Sequence, residues 1–347
     1  IPARFAGLSG EELYFSMCRG NKGAVAMEMT KWFNTNYHYI VPELNASTSF
    51  KLDASKYINE YKEAKALGIN AKLNLIGPFT YLALSKTNDG SDAFSHLDAL
   101  VSVYCELIAE IAKLDNEVFI QLDEPIFVTD RASDFAPRLK GVYDKICAAA
   151  SNAKIIFMTY FEKAPEATEQ IVKTGVWAVG LDLVHNSECQ RPSIKLIKDA
   201  NKVLFAGIIN GRNIWVADLE ERKAKVGRLL DQIESERLYI GTSCSLLHVP
   251  FTLKYEENLA IKEWLSFAVE KLDEIVILTA FANGKELCAR CSEIYEKNKI
   301  AIANRKTSSL VNDAAVQERV KNLSKFERET AFSERIKVQH KLFNLPS

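Results

Sequence analysis

The stretch V-F-I-Q-L-D-E-P (118–125) decides the fold. It is an apolar run too short for a helix, closed by two acids and a proline, and it reads as a strand buried on both faces. The same reading applies to A-K-L-N-L-I-G-P (71–78) before it. It applies again to K-I-I-F-M-T-Y-F (154–161), W-A-V-G-L-D-L-V (177–184), V-L-F-A-G-I-I-N-G (203–211) and L-Y-I-G-T-S-C-S (238–245). Helical patterns fill the intervals. One is capped by Asp53 and ended by Gly68, and the next carries Leu97, Leu100, Val101, Tyr104, Leu107, Ile108, Ile111 and Leu114 on one face. Others are expected at 139–150, 165–174, 192–200, 217–234 and 256–280.

Six strands, each followed by a helix, predict a parallel sheet with right-handed crossovers. With no G-x-G-x-x-G or P-loop in the chain, the expected α/β architecture is a (β/α)8 TIM-type barrel rather than a doubly wound sheet. A closed ring of that class takes eight strands. Residues 1–50 hold no strand-like run of comparable quality, so two further βα units are expected to precede Ile1. The barrel is assigned to residues 1–284, including a mouth-covering loop at 20–50. Residues 285–347 are charged and helical, and read as an extension or inter-barrel linker.

The chain has 347 residues, 48% hydrophobic and 26% charged, with a formal net charge of −1. That balance fits a globular protein and argues against a nucleic-acid or anionic-membrane partner, which would want a basic surface. No apolar run approaches a bilayer span. The seven cysteines are scattered and odd in number, which fits a reducing cytosol and a cytoplasmic location rather than a disulfide framework.

In such a barrel, ligands bind where strands end. The strand ends here are unusually polar and supply Asp123, Glu124, Asp182, His185, Asn210, Arg212, Asn213, Cys244 and His248. Any one of them could simply cap a helix; the set reads as a polar mouth. Asp123 and Glu124 are adjacent, so they face opposite sides of a strand and cannot by themselves form a facing glycosidase pair. Cys244 with His248 provides too few ligands for zinc, and Cys288-Ala289-Arg290-Cys291 has C-x-x-C spacing but no second pair. Neither a metal site nor a complete catalytic set is predicted. Ahead of the first βα unit lies E-M-T-K-W-F-N-T-N-Y-H-Y-I (28–40), without helical or strand period. It reads as a loop draped on the mouth, with Trp32, Phe33, Tyr37 and Tyr39 as buried anchors and Lys31, Asn34, Asn36 and His38 as donors. A lysine among amide donors suits a carboxylate-bearing ligand; an Ω-loop packed by its own aromatics, with Lys31 in water, is the alternative.

The blocks E-M-T-K-W-F-N-T-N-Y-H-Y-I-V-P-E-L, L-I-G-P-F-T-Y, Q-L-D-E-P, F-A-G-I-I-N-G-R-N-I-W and T-S-C-S-L-L-H closely resemble the amino-terminal barrel of cobalamin-independent methionine synthases. The resemblance runs in order from Ile1-Pro2-Ala3-Arg4 to Leu345-Pro346. It implies a two-barrel methyltransferase that moves the methyl group of 5-methyltetrahydropteroyltriglutamate to homocysteine. Zinc, held by a His-x-Cys pair, a Glu and a second Cys, belongs to the carboxyl-terminal catalytic barrel, so its ligands are not in this chain. By motif, Lys31 and Asn36 match positions that hold the folate polyglutamate tail. The family's opening G-x-P-R strand and R-E-L-K helix start have no counterpart here, and Cys244 resembles one zinc cysteine of the sibling barrel without its partners. The implied expectation is a scaffold and tail-binding part, inactive alone. A non-catalytic assembly module and a barrel hydrolase using Asp123 or Glu124 are the competing readings.

Overall fold

The computed structural model describes residues 1–185, 187–323 and 331–344; the closing Leu345-Pro346 lies outside them. A helix α1 (Gly10–Arg19) opens the chain, followed by short strands β1 (Met29–Lys31), β2 (His38–Ile40) and β3 (Glu43–Leu44). Then come α2 (Ser55–Ala66), β4 (Lys72–Ile76), α3 (Pro78–Ala83), β5 (Lys86–Thr87) and α4 (Leu97–Ala112). The regular rhythm continues with β6 (Val118–Asp123), α5 (Ala132–Ala148), β7 (Ala153–Met158), α6 (Pro165–Ile171), β8 (Ala178–Asp182), α7 (Arg191–Asp199), β9 (Val203–Ile209), α8 (Leu219–Leu230) and β10 (Leu238–Thr242). Helices α9 (Ala268–Ala282), α10 (Ala289–Thr307), α11 (Ala314–Lys321) and α12 (Phe332–Phe343) follow. No helix among the described residues is long and apolar enough to cross a membrane.

All six expected strands are present and form one parallel sheet in the order β10-β9-β8-β7-β6-β4. Alternate residues explain why the runs look apolar throughout. Leu73, Leu75, Ile120, Leu122, Ile155, Phe157, Val179, Leu181, Leu204 and Ala206 point to the helices and join one large core. On the other face Ile156, Ala178 and Val203 form a small separate cluster with Met158, Trp177 and Phe205. The sheet curls strongly. Lys72 Nζ on β4 stands 5.5 Å from the Phe205 ring of β9, four strands away, where a flat sheet would separate them by about 19 Å. Phe119, Trp177, Phe205 and Tyr239 meet across the concave side. Among the described residues no hydrogen-bonded pairing joins β4 to β10, so closure of the ring is not seen, and Ile76 and Tyr239 on these edge strands remain 44% and 42% exposed.

Three expectations need correcting. The 28–40 segment is an antiparallel hairpin, with Met29↔Ile40, Thr30↔Tyr39 and Lys31↔His38 paired; each strand is only three residues long, too short to show a period. The expected 139–150 helix begins at Ala132 and carries Pro137 inside it. The bond that Pro137 cannot donate is outweighed by the buried face of Phe135, Leu139, Val142, Tyr143 and Ile146. The expected 256–280 helix starts only at Ala268. Before it the chain makes single 3-10 turns at Leu253–Tyr255 and Lys262–Trp264, with Asn258 at φ 56°. Glu270 reaches back to accept from the Phe267 N–H at 3.2 Å and fixes the true start.

Beyond the sheet, α10 docks on the α8–α9 side. Asn298 accepts from the Leu219 N–H at 3.2 Å and donates to the Ala217 carbonyl at 2.8 Å, and Arg305 lies over Trp215 at 4.3 Å.

Candidate functional site

The hairpin β1–β2 sits over the carboxyl ends of β7, β9 and β10. Its turn is built locally: the Trp32 N–H donates to the Tyr37 carbonyl at 2.7 Å. The Thr35 hydroxyl donates to the Trp32 carbonyl at 2.7 Å and accepts from the Tyr37 N–H at 3.1 Å. Alternation places Thr30, Trp32 and Tyr39 on one face, where the two rings meet edge to face at 5.7 Å. Trp32 and Phe33 pack onto Tyr160, Phe161 and Cys244. Phe33 and Phe161 both have positive φ (51° and 85°), a strain held in place by this contact. Arg212 donates to the Asn34 carbonyl at 3.1 Å while its guanidinium covers Phe161 at 4.8 Å. His248 meets Tyr37 and Phe161 edge to face at 6.0 and 5.7 Å. Burial beside Arg212 pushes the His248 imidazole below its ordinary value. Tyr37 is 49% exposed, so it is a rim contact rather than a buried anchor.

Lys31 and His38 are cross-strand partners on the face opposite Trp32 and Tyr39, and both are exposed. The Lys31 side chain makes no ion pair or hydrogen bond among the described residues. Asn36 is also exposed, its carbonyl meeting His38 Nδ1 at 3.0 Å. The lysine and the amide therefore lie on the outer, solvent side of the docked hairpin.

The strand-end acids separate into different roles. Asp123 faces the concave side, in a cavity of about 300 Å³ shared with Lys72, Asn74, Gln121, Tyr160 and Cys244. Asp123 accepts from the Gln121 amide at 2.6 Å and from the Tyr160 hydroxyl at 3.3 Å, and Lys72 donates to Gln121. Burial pushes the Asp123 carboxyl up to about 6, against the pull of Gln121, Lys72 and Tyr160. Burial also lowers the Lys72 ammonium. Glu124 points the other way, into the helical layer, and is fully buried. Its oxygens accept from the Phe79 N–H (3.1 Å), the Thr80 N–H and hydroxyl (both 2.7 Å) and the Tyr143 hydroxyl (3.2 Å). It ties β6 to the start of α3, and burial holds it at about 7. This corrects its placement at the mouth and removes the carboxylate a hydrolase would need beside Asp123.

Asp182 is likewise fully buried, accepting from the N–H groups of Phe161, Val184 and His185 and facing His185 Nδ1 at 2.9 Å. It shapes the strand end and leaves no free acceptor at the mouth. Asn210 accepts from the Arg212 and Asn213 N–H groups, and Asn213 accepts from the Trp215 N–H, so both amides fold their own loop. Of the polar strand-end set, Arg212, Cys244 and His248 converge with the hairpin. Lys72, Gln121 and Tyr160 were not singled out from the sequence; the polar alternation K-L-N and Q-L-D on β4 and β6 is the signal that carried the first two.

Among the described residues no three His, Cys, Asp or Glu side chains come together in a way that could hold a metal ion. Cys244 is buried, with its thiol pushed up to about 12, which opposes the thiolate that zinc ligation requires. The described residues do not fit a zinc centre.

A family model described as "Cobalamin-independent synthase, N-terminal domain" matches residues 1–234. Curated relatives named 5-methyltetrahydropteroyltriglutamate–homocysteine methyltransferase include one from Desulforamulus reducens, 41% identical over all of this chain and 45% of the relative. Others are one from Haemophilus influenzae (39%, all of this chain and 46% of the relative) and one from Arabidopsis thaliana (40%, all of this chain and 46% of the relative). The chain thus spans about half the length of the curated relatives it matches. A solved B12-independent methionine synthase from Shewanella sp. superposes with a TM-score of 0.52 at 15% identity, covering 80% of this chain and 74% of that one, a likeness of fold.

Proposed function

Because the chain belongs to the cobalamin-independent synthase family, by its amino-terminal domain, we propose that it is the amino-terminal part of a cytoplasmic methyltransferase. That enzyme moves the methyl group of 5-methyltetrahydropteroyltriglutamate to homocysteine, giving methionine. In this reading residues 1–284 are the barrel-type domain and 285–347 lead toward a carboxyl-terminal catalytic barrel. That second barrel binds homocysteine and holds zinc, which would supply a thiolate-stabilising Lewis acid. The contribution of this chain is to scaffold the enzyme and hold the folate tail through Lys31 and Asn36.

The observation that carries the assignment to the tail is the fixed hairpin. Trp32, Phe33 and Arg212 hold it on the strand ends, while Lys31 and Asn36 are both exposed and the Lys31 ammonium has no partner among the described residues. A preorganised cation with nearby donors suits a poly-γ-glutamate, whose carboxylates repeat along a flexible chain. A docked strap of this kind pre-sets the donors before ligand arrives, so less ordering entropy opposes binding.

The experiment is homocysteine methylation by the whole enzyme with methylfolates carrying one or three glutamates. Lys31→Ala is expected to lower kcat/KM for the triglutamate and leave the monoglutamate nearly unchanged. An equal loss for both donors would remove Lys31 from tail recognition.

A further inference from the structure

The C-x-x-C pair at the start of α10 takes no part in the reading above. Cys288 is the N-cap of this 19-residue helix, and its sulfur accepts from the Cys291 N–H at 3.4 Å. The surroundings of the two thiols differ. Cys288 is exposed, whereas Cys291 is buried at 6% exposure against the main core. Arg290 stands between them in sequence, ion-paired to Asp273 of α9. An N-cap thiol in reach of backbone N–H groups, covering a second thiol one turn into the helix, is the arrangement that favours thiolate chemistry and intramolecular disulfide closure.

We propose that Cys288 and Cys291 form a reversible dithiol–disulfide couple, a redox modification site that exchanges with low-molecular-weight disulfides of the glutathione class. The Cys288 thiolate attacks one sulfur of glutathione disulfide, forming a Cys288–glutathione mixed disulfide and releasing one glutathione thiolate. That thiolate takes up the proton lost from Cys288. The Cys291 sulfur, deprotonated in turn, attacks the Cys288 sulfur and expels the second glutathione. The protein dithiol loses two electrons and two protons, and the external disulfide becomes two thiols.

Three of the other cysteines are poor competitors. The thiols of Cys147 and Cys244 are pushed up to about 12 by burial, and that of Cys105 is raised, while that of Cys288 lies below its ordinary value. Among the described residues Cys288 is the cysteine whose sulfur accepts from the backbone N–H of a second cysteine.

The test equilibrates the 347-residue chain with glutathione and glutathione disulfide at increasing oxidant ratios. Acid quench, alkylation and peptide mass spectrometry follow. The peptide carrying both residues should lose two hydrogens as the ratio rises. Cys291→Ser should instead accumulate glutathione on Cys288, well ahead of the exposed Cys189. Cys288→Ser should abolish both products with an unchanged unfolding midpoint, because a serine hydroxyl caps the helix equally well. Two thiols that stay reduced at a large excess of glutathione disulfide would overturn the proposal. So would equal glutathione loading of Cys189 and Cys288 in Cys291→Ser.

Discussion

Replacing Glu124 by Gln tests how the strand-end acids are divided. The side chain is fully buried and receives two backbone N–H groups, from Phe79 and Thr80, on its two different oxygens. A glutamine keeps the volume but turns one oxygen into an NH2 group facing one of those donors. The hydroxyls of Thr80 and Tyr143 can rotate to accept; a backbone N–H cannot. One buried donor stripped of its acceptor costs about 1–3 kcal/mol. The titration of Glu124 adds a pH signature. Its carboxyl is raised to about 7 in the fold from an ordinary 4.5, so the folded state binds the proton more tightly than the unfolded one. The resulting stability is complete below the unfolded value and is lost as the pH climbs through about 7, on the order of 3 kcal/mol over that window. Asp123, raised to about 6, adds a slope of the same sign in both proteins. Urea unfolding followed by tryptophan fluorescence should therefore show Glu124→Gln less stable by about 1–3 kcal/mol at a pH near 5. The gap should close as the pH rises from about 5 to about 7. A gap that widens with rising pH would refute the buried, high-affinity carboxyl.

Two further outcomes follow from the same contacts. Trp32→Ala removes the ring that seats the hairpin on Tyr160 and Phe161. Limited proteolysis should then cut faster between residues 32 and 37 while the sheet core, measured by hydrogen exchange, stays protected; an unchanged cutting rate would deny that Trp32 holds the strap. Equilibrium dialysis of this chain against zinc should give no tight stoichiometric binding, since Cys244 has no converging ligands among the described residues; one tightly held zinc per chain would contradict that reading.

How much of this could be read from residues varies with element length and burial. The strands of the main sheet were legible because both faces of β6, β7 and β9 are apolar or buried, leaving continuous runs bounded by Gly, Pro or acids. The hairpin was not, because three-residue strands carry no measurable alternation. Its register comes instead from tertiary contacts of Trp32 and Arg212 with residues far along the chain. Adjacency correctly predicted opposite faces for Asp123 and Glu124. Which face was solvent and which was core depends on Phe79, Thr80 and Tyr143, and no local pattern reports that. Asp182 misled for a similar reason: a polar strand end can be a binding group or a backbone clamp, and only its three N–H donors distinguish the two. The segment before α9 looked helical in its apolar spacing, but Asn258 in the left-handed region and the Glu270 cap exclude it.

The most direct measurement is the ratio of affinities for tri- and monoglutamyl methylfolate, obtained by isothermal titration of the whole enzyme with and without Lys31→Ala. If the docked hairpin holds the tail, the wild-type protein favours the triglutamate. The variant should then lose about 1 kcal/mol of that preference, roughly fivefold in affinity. A tail-length preference untouched by the substitution would contradict the account.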